Sequence, residues 1–228
     1  MFTGLIESHG TILSLSREGG APRLEVAAPE LAGRLREGDS IAVNGVCLTA
    51  LNVQPANGEY PGRFTANLAA ETLARTTLGE ATPGTMVNLE LPTPSGAPLG
   101  GHVVQGHVDA VGTLLSLTET HPGKAETDWR LKLRLPASLR AYVVPQGSIT
   151  VDGISLTIAA LWEADAAPVL EIAIIPHTYA ATNLHTLLHG SKVNIEVDVL
   201  GKYAERRGIA NPSTPFDLSA EYLIANGY

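Results

Sequence analysis

Side chains suited to acid–base or nucleophilic chemistry stand in three short stretches. His102 and His107 frame Gly100-Gly101-His102-Val103-Val104-Gln105-Gly106-His107-Val108-Asp109; Asp152, Ser155 and Thr157 stand in Val151-Asp152-Gly153-Ile154-Ser155-Leu156-Thr157; Cys47 and Thr49 stand in Val43-Asn44-Gly45-Val46-Cys47-Leu48-Thr49. A histidine titrates near neutral pH and can carry a proton. A spacing of five puts His102 and His107 on opposite faces of a regular strand. That argues against a shared metal, and no Cys/His cluster supplies further ligands. Residues two apart on a strand share a face, so Cys47 with Thr49, and Ser155 with Thr157, each present one polar patch. Small polar residues also simply fit a pleated surface, and a single cysteine is more often a buried small hydrophobe than a nucleophile. The alternative is that both stretches show the same polar face to the same kind of ligand. Glu71 and His177 each precede a threonine. A carboxylate is favoured in the first turn of a short helix, and either residue could equally bond a hydroxylated ligand.

These residues occupy equivalent places in a repeat. Ser40-Ile41-Ala42-Val43-Asn44-Gly45-Val46-Cys47-Leu48-Thr49 returns as Ser148-Ile149-Thr150-Val151-Asp152-Gly153-Ile154-Ser155-Leu156-Thr157. Residues 71–76 return as 177–182, 84–90 as 190–196, and 3–7 as 105–109. The order is constant and the offset roughly a hundred residues, too long for a solenoid and right for two tandem domains. The division expected is 1–101, 102–207 and a C-terminal piece 208–228. A duplicated binding domain offers two similar sites, which suits a reaction between two copies of one molecule.

The elements that must position these groups are mostly strands. Alternating or β-rich runs predict strands at 10–15, 23–27, 40–43, 46–53, 63–66 and 86–91, and again at 110–117, 129–135, 148–151, 154–161, 169–175 and 192–197. Their close spacing between Gly, Pro, Asn and Asp clusters reads as an all-β sandwich or barrel. Asn44-Gly45 and Asp152-Gly153 signal two-residue turns, with a kink inside one long strand as the alternative at the same place. Short helical pieces are expected at 29–35 and 137–140, and at 71–76 and 177–183. Residues 93–99 are the natural linker, and 208–213 are a second break. Thr214-Pro215-Phe216-Asp217 has the form of a capping box with Pro at the first helical position, opening a helix to 228. So short a helix needs a surface to bury against.

Composition narrows the functional class. The 228 residues carry 23 Asp+Glu against 15 Lys+Arg, net charge −8, with no basic run. Nucleic-acid binding would want a Lys/Arg stripe. One cysteine excludes a disulfide framework within the chain and fits a reducing, cytoplasmic setting. No leader pattern opens the chain and no apolar run approaches membrane length.

The stretches quoted, together with the opening Met1-Phe2-Thr3-Gly4-Leu5-Ile6 and Lys202-Tyr203-Ala204-Glu205-Arg206, resemble the riboflavin synthase family over essentially the whole chain. The resemblance implies two tandem Greek-key β-barrels of one topology and a C-terminal helix that trimerises. It implies a cofactor-free dismutation of two 6,7-dimethyl-8-ribityllumazine molecules into riboflavin and 5-amino-6-ribitylamino-uracil, and it admits an association with lumazine synthase. His102, Ser155 and Asp152 would form the catalytic centre, supported by His107, Cys47 and Thr157. The first repeat would hold a pteridine with Gly4, Leu5 and Ile6, with Ser40, Cys47, Leu48 and Thr49, and with Asn67, Leu68, Ala69, Ala70, Glu71 and Thr72. The second would use Gly106, His107 and Val108, then Gln146, Ser155, Leu156 and Thr157, then Ile174, Ile175, Pro176, His177, Thr178 and Tyr179. The chain departs from the family pattern at Leu91-Pro92 after Glu90, at Asn67 where an acidic residue is common, and at Gln146 in place of a lysine. A non-catalytic lumazine or flavin carrier of the same fold is the competing class.

Overall fold

The computed structural model describes residues 1–17, 20–124 and 126–210, with side chains through 207. In the first repeat β1 (Ser8–Ser16), β2 (Arg23–Ala27), β3 (Ser40–Val43), β4 (Val46–Thr49), β5 (Leu51–Gln54), β6 (Arg63–Asn67) and β7 (Met86–Glu90) form one sheet in the order β4-β3-β7-β1-β2-β6-β5. In the second, β8 (Ala110–Glu119), β9 (Trp129–Arg134), β10 (Ser148–Val151), β11 (Ile154–Ala164), β12 (Ala167–Ile174) and β13 (Lys192–Val197) close into a barrel, β10-β11-β12-β9-β8-β13. The two orders are the same once β4 and β5 are taken as the counterpart of β11. The repeated stretches 40–49 and 148–157 therefore occupy one topological position, as their sequence identity required.

The expected single strand 46–53 is cut at Ala50, and the sheet of the first repeat opens there. Asn52 has φ 47°, a left-handed residue that turns the chain out of the ladder, and its Nδ2 donates to Thr65 Oγ1 at 2.9 Å. The second repeat absorbs the same irregularity as a register shift between Ile158 and Ala160 and keeps β11 whole.

Alternation sorts the side chains as period 2 demands. Each repeat has its own core, built on Ile12, Leu24, Val26, Ile41, Phe64 and Leu89 in one and on Leu131, Leu133, Ile149, Ile158, Ile172 and Ile195 in the other. Each such side chain contributes about 1.5–3 kcal/mol. The helical pieces fall near their expected places: 3-10 turns at Ala32–Arg34 and Ala137–Tyr142, α1 (Ala70–Arg75) and α2 (Pro176–Ala180). Further 3-10 turns at Thr77–Glu80 and Asn183–Thr186 begin where Thr76 and Thr182 accept the Leu78 and Leu184 N–H groups. The chain from 91 to 101 carries neither helix nor strand.

One helix was not foreseen. α3 (Val199–Ala210) follows β13 directly and runs into the expected break at 208–213. Asp198 caps it, its Oδ1 accepting the Leu200 N–H at 2.9 Å. Gly201 lets it lie close to the Tyr142 backbone, and Lys202 pairs with Asp109 at 2.7 Å. The helix expected at 214–228 lies outside the described residues. No helix among the described residues is long and apolar enough to cross a membrane.

Candidate active site

The two hairpins β3–β4 and β10–β11 carry the polar faces. Their turns are tight because both central residues take positive φ: Asn44 45° and Gly45 75°, Asp152 46° and Gly153 81°. The hairpin registers are the same, with Val43 facing Val46 and Val151 facing Ile154. In each, two side chains point inward and two outward. Val46, Leu48, Ile154 and Leu156 are buried in the cores; Cys47 and Ser155 are half-buried, and Thr49 and Thr157 exposed, on the outer face. The Leu48 and Leu156 side chains are therefore withdrawn from the outer face.

The residues that complete each outer face come from the other repeat. Phe2 pairs with Val104 in an antiparallel bridge between two segments of the chain. Beyond this bridge, Ser155 N–H donates to the Gly4 carbonyl at 2.8 Å, and Cys47 N–H donates to the Gly106 carbonyl at 2.9 Å. Ile6 packs on the second core and Val108 on the first. The leading segments 2–6 and 104–108 thus cross over. Glycine is required at both crossings: a Cβ on Gly4 would lie 2.7 Å from Ser155 Cβ, and one on Gly106 2.6 Å from Cys47 Cβ. Two buried carboxylates fix these segments. Glu90 accepts from Thr3 and Gly4, and Glu196 accepts from the N–H groups of Gln105, Gly106 and His107.

His102 lies just before the second leading segment, and its Nδ1 sits 2.8 Å from Ser155 Oγ. With the ring proton on Nε2, Nδ1 accepts the serine O–H; in the other tautomer Nδ1–H donates to Oγ. Burial pushes the imidazole below the ordinary histidine value, and the negative charge of Asp198 partly offsets this. A neutral imidazole against a hydroxyl is an arrangement that can take up a proton and hand it on. Neither His102 nor His107 is in a strand, contrary to the opposite-face expectation. The backbone there is engaged by Glu196 and by the Phe2–Val104 bridge instead of a sheet neighbour. His107 is exposed. Among the described residues no group of three or more His, Cys, Asp or Glu could hold a metal ion.

Asp152 stands apart from this pair. It is 2% exposed, and its carboxylate accepts from Asn194 N–H at 2.8 Å and Asn183 Nδ2 at 2.9 Å. It belongs to a polar seam between the two repeats. Asn88 Nδ2 donates to the Asp152 carbonyl, and Asn194 Nδ2 donates to the Asn44 carbonyl. Asn183 N–H donates to Asn88 Oδ1, and Thr77 N–H donates to Asn194 Oδ1. The tips of the hairpins meet here, since a Cβ on Gly45 would lie 2.7 Å from Gly153 N and the converse also holds. Burial lifts the Asp152 carboxyl to about 6 against the pull of its two hydrogen bonds. The turn that aims Ser155 outward aims Asp152 into the seam, so of the three expected catalytic residues His102 and Ser155 are in contact and Asp152 is bonded to Asn183 and Asn194 instead.

The remaining expected binding residues fall into two matching places, after β6 and after β12. Asn67 accepts from Arg23, and Glu71 pairs with Arg75 one turn on in α1, which accounts for it as a helix carboxylate. Leu68 and Ile174 are core residues; Ala69, Ala70, Ile175 and His177 are exposed, and Thr72, Pro176 and Thr178 half-buried. Tyr179 is not free to stack on a ligand with the face it lays on Trp129, at 3.8 Å between ring centroids and 11° between planes. Gln146 sits in the turn before β10 at φ 64°. Ser40 and Leu5 line a cleft of about 560 Å³ with Thr3 and Glu90. Sequence reasoning missed Glu90, Glu196 and Asp198. The two glutamates are equivalent in the 84–90 and 190–196 blocks, and that was their signal; Asp198 was legible as the cap of Val199-Leu200-Gly201-Lys202.

A lumazine binding domain matches twice, over residues 3–92 and 105–198. Riboflavin synthase of Mycobacterium tuberculosis is 44% identical over 207 residues, 90% of this chain and 97% of its own. That of Bacillus subtilis is 39% identical over 230 residues, covering both chains fully. The chain belongs to the riboflavin synthase family. Among solved structures, LumP complexed with riboflavin superposes with a TM-score of 0.72 at 25% identity, over 86% of this chain and 99% of that one. LumP complexed with 6,7-dimethyl-8-(1'-D-ribityl) lumazine gives 0.70 at 24% identity over the same shares. Both matched domains in this riboflavin synthase family member begin in a leading segment, at Thr3 and Gln105, where the buried glutamates hold the chain.

Proposed function

We propose that this chain makes riboflavin by dismutation of two 6,7-dimethyl-8-ribityllumazine molecules, transferring a four-carbon unit and releasing 5-amino-6-ribitylamino-uracil. The observation that carries this reading is the 2.8 Å contact between His102 Nδ1 and Ser155 Oγ, on the outer face of a repeated lumazine-type domain. Lumazine is an electrophile at C7 and a carbon acid at the C7 methyl, so the protein must chiefly place two copies face to face. Such positioning can supply up to about 7–11 kcal/mol of the barrier. His102, kept neutral by burial, takes the methyl proton; Ser155 adds to C7 or donates a hydrogen bond there. Cys47 stands at the equivalent place in the first repeat and serves the second lumazine.

Each repeat then holds one pteridine. The first site combines Cys47 and Thr49 with 67–72 and the Gly106 segment; the second combines Ser155 and Thr157 with 174–179 and the Gly4 segment. His107 and Thr157 support the reacting pair, and Asp152 positions the hairpin that carries Ser155. The domain division at 1–101 and 102–207 follows the repeat. Assembly is as a homotrimer through residues 208–228, bringing a first-repeat face of one subunit against a second-repeat face of another, and supply of lumazine fits an association with lumazine synthase. A cytoplasmic setting accords with the single, unpaired Cys47.

Incubation with 6,7-dimethyl-8-ribityllumazine alone, followed by absorbance, tests the reading. Flavin should appear as lumazine disappears in a 1:2 ratio, with no added cofactor. The LumP likeness keeps a carrier as the second reading: lumazine bound tightly and recovered unchanged would establish that instead.

A further inference from the structure

Glu90 is 3% exposed, and among the described residues its carboxylate hydrogen-bonds only to the leading segment. Oε1 accepts from Thr3 N–H at 2.7 Å and Thr3 Oγ1–H at 2.8 Å; Oε2 accepts from Gly4 N–H at 3.0 Å. A buried carboxylate is costly, and charge-assisted bonds from several donors are what offset it. Burial accordingly raises the Glu90 carboxyl while the Thr3 and Gly4 bonds lower it. The two residues so held are the ones against which the reacting pair rests. The Gly4 carbonyl accepts Ser155 N–H, and Gly101, beside His102, packs so closely that a Cβ there would lie 2.0 Å from the Thr3 carbonyl oxygen.

We propose that Glu90 is a positioning residue for the His102–Ser155 pair, although it lies in the opposite barrel and makes no hydrogen bond to either member. The proposal rests on that pair being the reacting centre. The carboxylate holds Thr3 and Gly4, these seat the Ser155 backbone and the His102 approach, and the 2.8 Å contact between the two side chains follows. Glu196 is its counterpart: it holds Gln105, Gly106 and His107, and the Gly106 carbonyl seats Cys47. The glutamate of each barrel therefore serves the outer face of the other.

An amide cannot replace this carboxylate, because one of its two positions becomes a donor facing the Thr3 or Gly4 N–H. The full chain carrying Glu90→Gln is compared with Glu196→Gln and wild type by lumazine turnover and by the ring ¹⁵N resonances of histidine-labelled protein, with the His102 signal assigned by its loss in His102→Gln. Glu90→Gln should lower kcat by about a hundredfold, as a misplacement of the order of 1 Å does, leave KM little changed and shift the His102 Nδ1 resonance. Glu196→Gln should leave that resonance in place. An unmoved His102 signal and wild-type kcat in Glu90→Gln, or an equal shift in both variants, would overturn the proposal; the latter would mean general loosening. If wild type makes no flavin, the catalytic reading fails and the resonance comparison still decides whether Glu90 positions the pair. If Glu90→Gln does not fold by circular dichroism, Glu90→Asp, which keeps the charge but withdraws it by one methylene from Gly4, is read by the same criteria.

Discussion

Ser155 and Cys47 hold the same place on the same strand, but only Ser155 has a histidine at hydrogen-bonding distance among the described residues. The asymmetry predicts unequal roles. Ser155→Ala and His102→Gln should each lower turnover by about 10²–10⁴-fold while lumazine still binds, and Cys47→Ser should be milder; rate and binding assays on the three variants decide it. The His102 environment also fixes a pH response. Burial lowers its pKa, so the neutral base persists to a more acid pH than an ordinary histidine allows, and the acid limb of kcat/KM should lie below the usual histidine range. Asp198 acts in the other direction, so Asp198→Asn should move that limb further toward acid, and a limb that moved toward neutrality would contradict the assignment. Asp152 has the opposite sense. Its folded-state pKa of about 6 exceeds the ordinary 3.8, so the folded protein holds the proton more tightly than the unfolded chain. Stability relative to Asp152→Asn, which does not titrate, should be greatest in acid, fall as pH rises from about 4 to about 6, and stay flat above. Melting temperatures of the two proteins across that range test the sign.

Among the elements, the hairpin tips are the tightest joint. Gly153 combines φ 81° with a neighbour, Gly45 N, at 2.7 Å from any added Cβ, whereas Gly38 has φ 90° and open space around it. Gly38→Ala should cost about 1–2 kcal/mol from backbone strain alone. Gly153→Ala should cost clearly more, because the obstacle is backbone and cannot swing aside; denaturant melts of both measure the difference. These hairpins were legible in the sequence, since Asn-Gly and Asp-Gly between alternating apolar residues have few other uses. The strands were legible for the same local reason. What the sequence reading missed depended on distant partners: the cut at Ala50, the seam that claims Asp152, and α3, whose Gly201 argues against a helix until Tyr142 is placed beneath it. Ser155 and His102 were expected together from resemblance; their contact depends on Gly4 and Gly101, whose purpose no local pattern reveals.

As a whole, the molecule is one closed and one nearly closed barrel that exchange their leading segments, with a polar seam between them. If each barrel presents one site, a titration with lumazine should saturate at two per chain, and one clean site would count against the duplicated reading. If residues 214–228 hold the proposed trimer, their removal should lower the mass in solution and the activity together; an unchanged trimer of full activity would refute the proposed assembly. The crossing of segments also has a consequence in time. Gly4 leaves the ribosome 151 residues ahead of Ser155, whose N–H its carbonyl accepts. At about 5–20 residues per second that separation is roughly 8–30 s. For about the first two-thirds of this interval the Phe2 side chain, fully buried in the finished protein, has no Val104 to pair with. The nascent first barrel therefore waits with an apolar edge exposed, and the contact between His102 and Ser155 can form only after translation has passed the second hairpin.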